Sequence, residues 1–295
     1  MNLRDIVGSE IATAILVVGA ALLSITSAHA SPATVYFPSA DGATQLVGYL
    51  FAPATPGPHP AVVMLHGRGG PYSINANKDC TMVAEGTPSA CNASTLSKRH
   101  EAWGEYWAAH GYVALLPDSF GPRNKAHGFG RFTHDDPDRD DVNERTVRPL
   151  DAEGALKYLQ ARPDVAPSRV FLQGWSNGGS TTLNVMYRQA QSSSLGFRAA
   201  LAFYPGCGPR ALISGDYKTT APVTVFLASD DEEVSPVVCH RTLDAAAAKG
   251  SALTLIDYAG ATHDFDDPGR KRQSVPGNAA AREDVLRRAA EIFAK

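Results

Sequence analysis

The chain has 295 residues, 44% of them hydrophobic and 19% charged, with a formal net charge of −3 and a pI near 6.3. That length and apolar content suffice for one large domain with a buried core. The near-neutral balance offers no broad basic field for nucleic acid or anionic lipid to grip, which leaves small-molecule chemistry.

The N-terminus carries an apolar run from Ile11 to Ile25, then Ser27-Ala28-His29-Ala30, with small residues at Ala28 and Ala30 ahead of Ser31. This is the pattern of a signal peptide over residues 1–30, removed to leave a domain over 31–295 in the periplasm or outside the cell. Asp5 and Glu10 offset Arg4 in the leader, so an uncleaved anchor is the competing reading. The run is, however, shorter than the ~20 apolar residues that span a bilayer. No stable membrane association is expected once the leader is gone. Nothing in the sequence fixes an oligomeric state.

After the leader, Ala33–Phe37 and Leu46–Phe51 flank Asp41-Gly42 and read as an antiparallel hairpin at a sheet edge. Apolar runs follow at Ala61–Leu65, Val113–Leu116, Val170–Gln173, Ala199–Tyr204, Val223–Ala228 and Leu253–Tyr258. Between them, helical spacing of apolar residues predicts helices over Leu96–Ala109, Asp151–Gln160, Gly178–Gln189, Val237–Ala248 and Ala279–Ala294. Strand and helix in alternation predict an α/β fold, with a mainly parallel central sheet covered by helices on both faces. Two long insertions stand out. Residues 71–95 hold Cys80 and Cys91, and residues 119–145 hold the acidic run Asp135 to Asp141, which reads as a solvated loop because it lacks the glycine and terminal glutamate of a calcium-binding loop.

Four cysteines in an exported chain favour disulfides, and three pairings are possible. Cys80 with Cys91, closing a short loop, and Cys207 with Cys239, following successive predicted strands, is the preferred set; buried free thiols are the alternative. A metal site is disfavoured, since the cysteines lack C-x-x-C spacing.

Gly174-Trp175-Ser176-Asn177-Gly178 matches G-x-S-x-G, after a predicted strand and before a predicted helix. The glycines allow the sharp turn that lifts a serine hydroxyl above a sheet and places it at a helix N-terminus. A serine hydroxyl needs a base to become nucleophilic, and the base needs an acid to fix its tautomer. His263 is the candidate base. It follows the last core strand in Ala259-Gly260-Ala261-Thr262-His263, whereas His59, His66, His100, His110, His127 and His134 come too early in chain order and His240 falls on a helix. The acid comes from Asp230-Asp231-Glu232-Glu233, with Asp231 preferred and Asp230 as its rival. Backbone N–H groups of Asn177, and of Arg68 within Leu65-His66-Gly67-Arg68-Gly69-Gly70, are the candidate oxyanion donors.

Five motifs together resemble exported members of the dienelactone hydrolase family, within the α/β-hydrolase superfamily, over nearly all of the chain after the leader. They are Leu65-His66-Gly67-Arg68-Gly69-Gly70, Pro117-Asp118-Ser119-Phe120-Gly121-Pro122-Arg123, Gly174-Trp175-Ser176-Asn177-Gly178-Gly179, Tyr204-Pro205-Gly206-Cys207-Gly208 and Tyr258-Ala259-Gly260-Ala261-Thr262-His263-Asp264-Phe265. The resemblance implies an α/β-hydrolase fold and a catalytic triad of Ser176, Asp231 and His263, acting on a small ester or lactone with no cofactor or metal. It departs from the dienelactone-cleaving members, which use a cysteine nucleophile and an arginine shortly after the histidine. Here Asp264, Asp266 and Asp267 follow His263, which disfavours a carboxylate-bearing substrate, and Arg68, Arg123, Arg270 and Arg272 are the cations that could compensate. The same triad could serve a polyester or cutinase-like hydrolase or a serine peptidase. A non-catalytic binding protein is least favoured, because no triad member is missing.

Overall fold

In the computed structural model, residues 31–192, 196–212 and 215–295 are described. The leader expected over residues 1–30 lies outside them. Strand β1 (Ala33–Pro38) pairs antiparallel with β2 (Gln45–Phe51) across a turn in which Gly42 takes a φ of +75°. Strand β2 pairs antiparallel with β4 (Val113–Asp118). From β4 the sheet continues parallel through β3 (His59–Leu65), β5 (Val165–Trp175), β6 (Ala200–Phe203), β7 (Val223–Ala228) and β8 (Leu253–Tyr258), giving the order β1-β2-β4-β3-β5-β6-β7-β8.

The helices are α1 (Ile74–Asn77), α2 (Lys98–Ala109), α3 (Arg148–Gln160), α4 (Asn177–Ala190), α5 (Pro236–Ala248), α6 (Arg270–Gln273) and α7 (Pro276–Phe293). Side chains alternate across a strand, so β3 sends Val62 and Met64 into one core and Ala61, Val63 and Leu65 into the other. The first core is covered by Trp103 and Trp107 of α2 with Val285, Ala289 and Phe293 of α7. The second is covered by Leu156 and Leu159 of α3, Leu183 of α4 and Leu243 of α5. Helices thus cover both faces, and the architecture is the expected α/β-hydrolase fold.

The element starts that differ from sequence expectation have local causes. Helices α3, α5 and α7 begin upstream of the apolar spacing at Arg148-Pro149, Pro236 and Pro276, because proline's missing N–H and fixed φ suit the first helical turn. Helix α2 starts two residues late, with the Ser97 side chain accepting from His100 N–H as its cap.

The acidic run over residues 135–141 is largely exposed, as expected of a solvated loop, but residues 119–145 around it also carry a packed centre. Phe120, Phe129 and Val142 form their own buried cluster, and the buried Arg139 guanidinium lies 5.6 Å from the Phe129 ring centre. The acidic residues are spent locally: Asp136 caps a short helical turn over Pro137–Val142, Asp138 meets Lys125 at 2.8 Å and Asp135 meets Arg210 at 2.7 Å. Both disulfides are of the preferred set, Cys80–Cys91 and Cys207–Cys239, with Cα separations of 6.1 and 4.9 Å. No helix among the described residues is long and apolar enough to cross a membrane.

Candidate active site

Strand β5 delivers Ser176 at its C-terminal end, where the chain must reverse within one residue to enter α4. Ser176 takes φ +52° and ψ −115°, a strained conformation for a residue with a Cβ. The flanking glycines make this turn possible. A Cβ at Gly178 would lie 2.0 Å from the Leu65 carbonyl oxygen, and one at Gly174 would lie 2.2 Å from the Gly178 carbonyl oxygen. The turn is therefore wedged between β3 and α4 with no space for larger residues.

The Ser176 hydroxyl is within hydrogen-bond reach of His263 Nε2 at 2.9 Å. The other ring nitrogen, Nδ1, lies 2.8 and 3.0 Å from the two Asp231 carboxylate oxygens. Those partners assign the proton to Nδ1 and leave Nε2 free to accept the serine proton. Asp231 is oriented in turn by the N–H groups of Glu233 and Val234, which donate to its Oδ1 at 2.8 and 2.9 Å. The rival Asp230 points outward, exposed, and accepts from the Ser229 hydroxyl at 2.7 Å. Burial alone would lower the His263 pKa; the Asp231 hydrogen bond and the charges of Asp264, Asp231 and Glu233 outweigh it, so the imidazole's pKa is raised.

Asn177 opens α4, so its N–H has no intrahelical acceptor. Gly67 packs against Ser176, with a Cβ there falling 3.7 Å from Ser176 Cβ, and Arg68 lines the same cavity as Ser176. The buried Arg148 supports both segments. Its guanidinium donates to the His66 carbonyl at 2.7 Å and to the Asn177 side-chain oxygen. His66 itself is buried and neutral, its pKa driven well down by burial and by Arg148.

The aspartates after His263 do not act as one group. Asp266 is fully buried beneath the site and accepts from Trp103 Nε1 and Trp175 Nε1, each at 2.8 Å, and from the Tyr204 hydroxyl. It therefore ties the residue before Ser176 to the segment carrying His263. Asp264 and Asp267 face the cleft and share Arg99, whose Nη2 lies 2.8 Å from Asp264 and 3.4 Å from Asp267. Arg99 was not among the cations expected to offset these charges. Arg123 is instead committed to Asp151 and Asp41, while Arg272 pairs with Glu232 at 3.0 Å and also reaches Asp264 at 3.9 Å. Arg99 escapes sequence reading because it sits in no motif, and Asp266, read only as one of three charges after His263, gains its role from the α2 tryptophan and from Trp175 and Tyr204, which the fold brings to it.

Ser176 opens on a cavity of about 460 Å³, lined by Tyr72, Asn77, His100 and Phe129 together with Arg68 and Arg99. A second recess of about 70 Å³, lined by Asn177, Gly206, Phe132 and Val234, meets the first at Ser176, Arg68 and Glu233. Among the wall residues, Glu233 was read in sequence only as one of the four acids in the run that holds Asp231. Its side chain is 8% exposed, and its carboxylate takes three hydrogen bonds from Arg68, one from Nε and two from Nη2.

Comparison with known proteins is consistent with this geometry. The profile of the dienelactone hydrolase family matches residues 95–295. Over 216 residues the chain is 23% identical to Cutinase 2 of Thermobifida cellulosilytica, covering 70% of this chain and 77% of that one. It is equally similar to Cutinase cut1 of Thermobifida fusca, of which the match covers 63%. Among solved structures, a dienelactone hydrolase-like promiscuous phosphotriesterase from metagenomic libraries aligns with a TM-score of 0.64 at 20% identity, covering 90% of this chain and 98% of the other. A thermophilic esterase from Thermogutta terrifontis aligns with a TM-score of 0.61 at 19% identity, over 90% and 94% of the two chains. With the family profile spanning more than half of the sequence, the chain belongs to the dienelactone hydrolase family.

Proposed function

We propose that the protein is a carboxylic ester hydrolase that works by acyl transfer to Ser176, with His263 as general base and acid and Asp231 orienting the ring. The observation that carries this reading is the unbroken hydrogen-bonded run from Ser176 Oγ through His263 to Asp231, set at a strained strand-to-helix turn. In the first half-reaction, Ser176 Oγ attacks the ester carbonyl carbon while its proton passes to His263 Nε2. The carbonyl oxygen becomes an oxyanion held by the Arg68 and Asn177 backbone N–H groups. Collapse expels the alcohol, which takes the proton from Nε2, and leaves an acyl-serine. Water then loses a proton to Nε2 and attacks the acyl carbon, and the proton returns to Ser176 as the acid leaves.

Because His263 must be neutral to accept a proton and its pKa is raised, kcat/KM falls on the acid side of a midpoint above 6.5. Ser176→Ala is the direct test with short p-nitrophenyl esters: turnover should disappear in a folded protein, and unchanged turnover would defeat the mechanism. The cleft carries Arg68 and Arg99 against Glu233, Asp264 and Asp267, and each cation is already paired. We therefore expect neutral polar esters and lactones to be better substrates than ones bearing a carboxylate.

A cutinase-like reading has specific support as the second choice. Besides the sequence similarity, the most exposed large apolar side chains, Ile74 at 83% and Phe132 at 79%, stand on the walls of the two recesses, where a polymer chain could rest. Product release from a polyester film, compared with turnover of soluble esters, separates the two. We also read residues 1–30 as a leader cleaved before Ser31 and the protein as periplasmic or secreted, a reading supported by two disulfides. Intact mass of the protein recovered from its host tests the cleavage.

A further inference from the structure

Among the described carboxylates lining the cleft, Glu233 has the least exposed side chain, 8% against 27% for Asp264 and 28% for Asp267, and the acyl-transfer reading leaves it unused. Its Oε2 lies 3.7 Å from His263 Nε2, the nitrogen facing Ser176. The same carboxylate receives Arg68 Nε at 3.1 Å and Nη2 at 2.9 Å, and Arg131 Nε lies 2.6 Å from its other oxygen. Its own backbone N–H donates to Asp231. One residue thus touches the acid loop, the imidazole and the segment carrying the Arg68 amide.

We propose that Glu233 is a positioning residue that acts through His263, a second carboxylate that stabilises the imidazolium from the Nε2 side while its Arg68 pair fixes the oxyanion loop. The inference rests on the acyl-transfer reading. When the serine proton reaches Nε2 the ring becomes cationic, and its two nitrogens then face different carboxylates, Asp231 at Nδ1 and Glu233 at Nε2. Other groups around the ring have other commitments. Glu232 accepts from the His263 backbone N–H at 2.9 Å. Asp264 is held by Arg99 and Arg272, and Asp266 lies below Tyr204, whose ring centre is 4.6 Å from the imidazole. Arg68 and Arg131 are the cations on the Nε2 side, and both reach the ring through Glu233.

An unscreened opposite charge at 4–6 Å moves a pKa by about 1–3 units. Glu233 is shared with two arginines, so its removal should act at or below the lower end of that range. The pH profile of kcat/KM for a soluble p-nitrophenyl ester reads this directly in Glu233→Gln and Arg68→Met. Glutamine keeps the size and one acceptor for Arg68, so the acid limb of Glu233→Gln should move down by about half to one pH unit. Arg68→Met keeps the backbone N–H but leaves the Glu233 charge less compensated, and its limb should move up. Opposite shifts support the proposal. Limbs that stay in place, or that move the same way in both variants, overturn it. Should Glu233→Gln fail to fold, the upward shift in Arg68→Met still decides: an unmoved or downward limb there overturns the proposal. An inactive Ser176→Ala together with unmoved limbs removes this inference alone, whereas an active Ser176→Ala removes the acyl-transfer reading beneath it.

Discussion

Replacing Asp266 by alanine and by asparagine should give very different stabilities, and the difference follows from which donors each variant leaves unpaired. The Asp266 carboxylate is 1% exposed and holds three donors, the indole N–H groups of Trp103 and Trp175 on one oxygen and the Tyr204 hydroxyl on the other. Alanine removes all three acceptor contacts in a site closed to water. At about 1–3 kcal/mol for each buried donor left unsatisfied, partly relieved by rotation of the tyrosine hydroxyl, Asp266→Ala should cost about 3–6 kcal/mol. Asparagine can keep its oxygen on the two indoles and turn its NH₂ toward Tyr204, whose hydroxyl accepts as well as donates. Burial pushes the Asp266 pKa up despite Arg99 and these donors, so a neutral amide also escapes part of the desolvation cost. Asp266→Asn should therefore cost no more than about 1–2 kcal/mol, mainly through the weakened hold on Arg99. Urea denaturation of the disulfide-intact protein, followed by tryptophan fluorescence, measures both from the midpoint at unchanged slope. Equal losses within about 0.5 kcal/mol would refute the acceptor argument.

Asp231→Asn should lower kcat by about 10³–10⁴-fold with the protein still folded, since the amide no longer holds the Nδ1–H tautomer. Asp230→Asn, at an exposed site, should stay within about twofold in the same p-nitrophenyl ester assay. Asp264 has its carboxyl held at about 2 against an ordinary 3.8, because the charges of Arg99, His263, Arg272 and Arg68 outweigh the opposing effect of burial. A carboxyl depressed in the folded state contributes stability above pH 3.8 that is lost as the pH falls toward 2. Asp264→Asn should thus be up to about 2 kcal/mol less stable at pH 7, an upper bound because the side chain is 27% exposed, with the gap closing near pH 2. Asparagine tolerates the φ of +61° there, so a pH-independent loss would contradict the electrostatic account.

Most of this site could be read before folding because its chemistry sits in short, rigid turns. G-x-S-x-G marks a strand-to-helix reversal by its glycines, and the run before His263 marks another, with Gly260 at φ +68°. Strands β7 and β8 were legible to the residue, β7 because a buried parallel strand reads as a largely continuous apolar run and β8, the half-buried edge strand, by Leu253, Leu255, Ile256 and Tyr258. Strand β5 was not. Its first half, Val165 to Arg169, is turn-like in composition and reaches the sheet only through a bridge of Val165 to His59 beside an irregular register. The acidic run after β4 was read correctly as solvated, but the packing beneath it was not legible, because Phe120, Phe129 and Val142 stand too far apart in sequence to form an apolar run. Glu233, Arg99 and Asp266 belong to the same class. The role of each depends on partners 30 to 165 residues away that only the fold brings near.

The central claim is that Ser176 is the nucleophile, activated by His263. Intact-mass and peptide mapping after exposure of the folded protein to a fluorophosphonate tests it without any choice of substrate. The account predicts a single adduct on the peptide carrying Ser176, absent in Ser176→Ala and strongly slowed in His263→Ala. An unlabelled wild-type protein, or an adduct on a different residue, would contradict it.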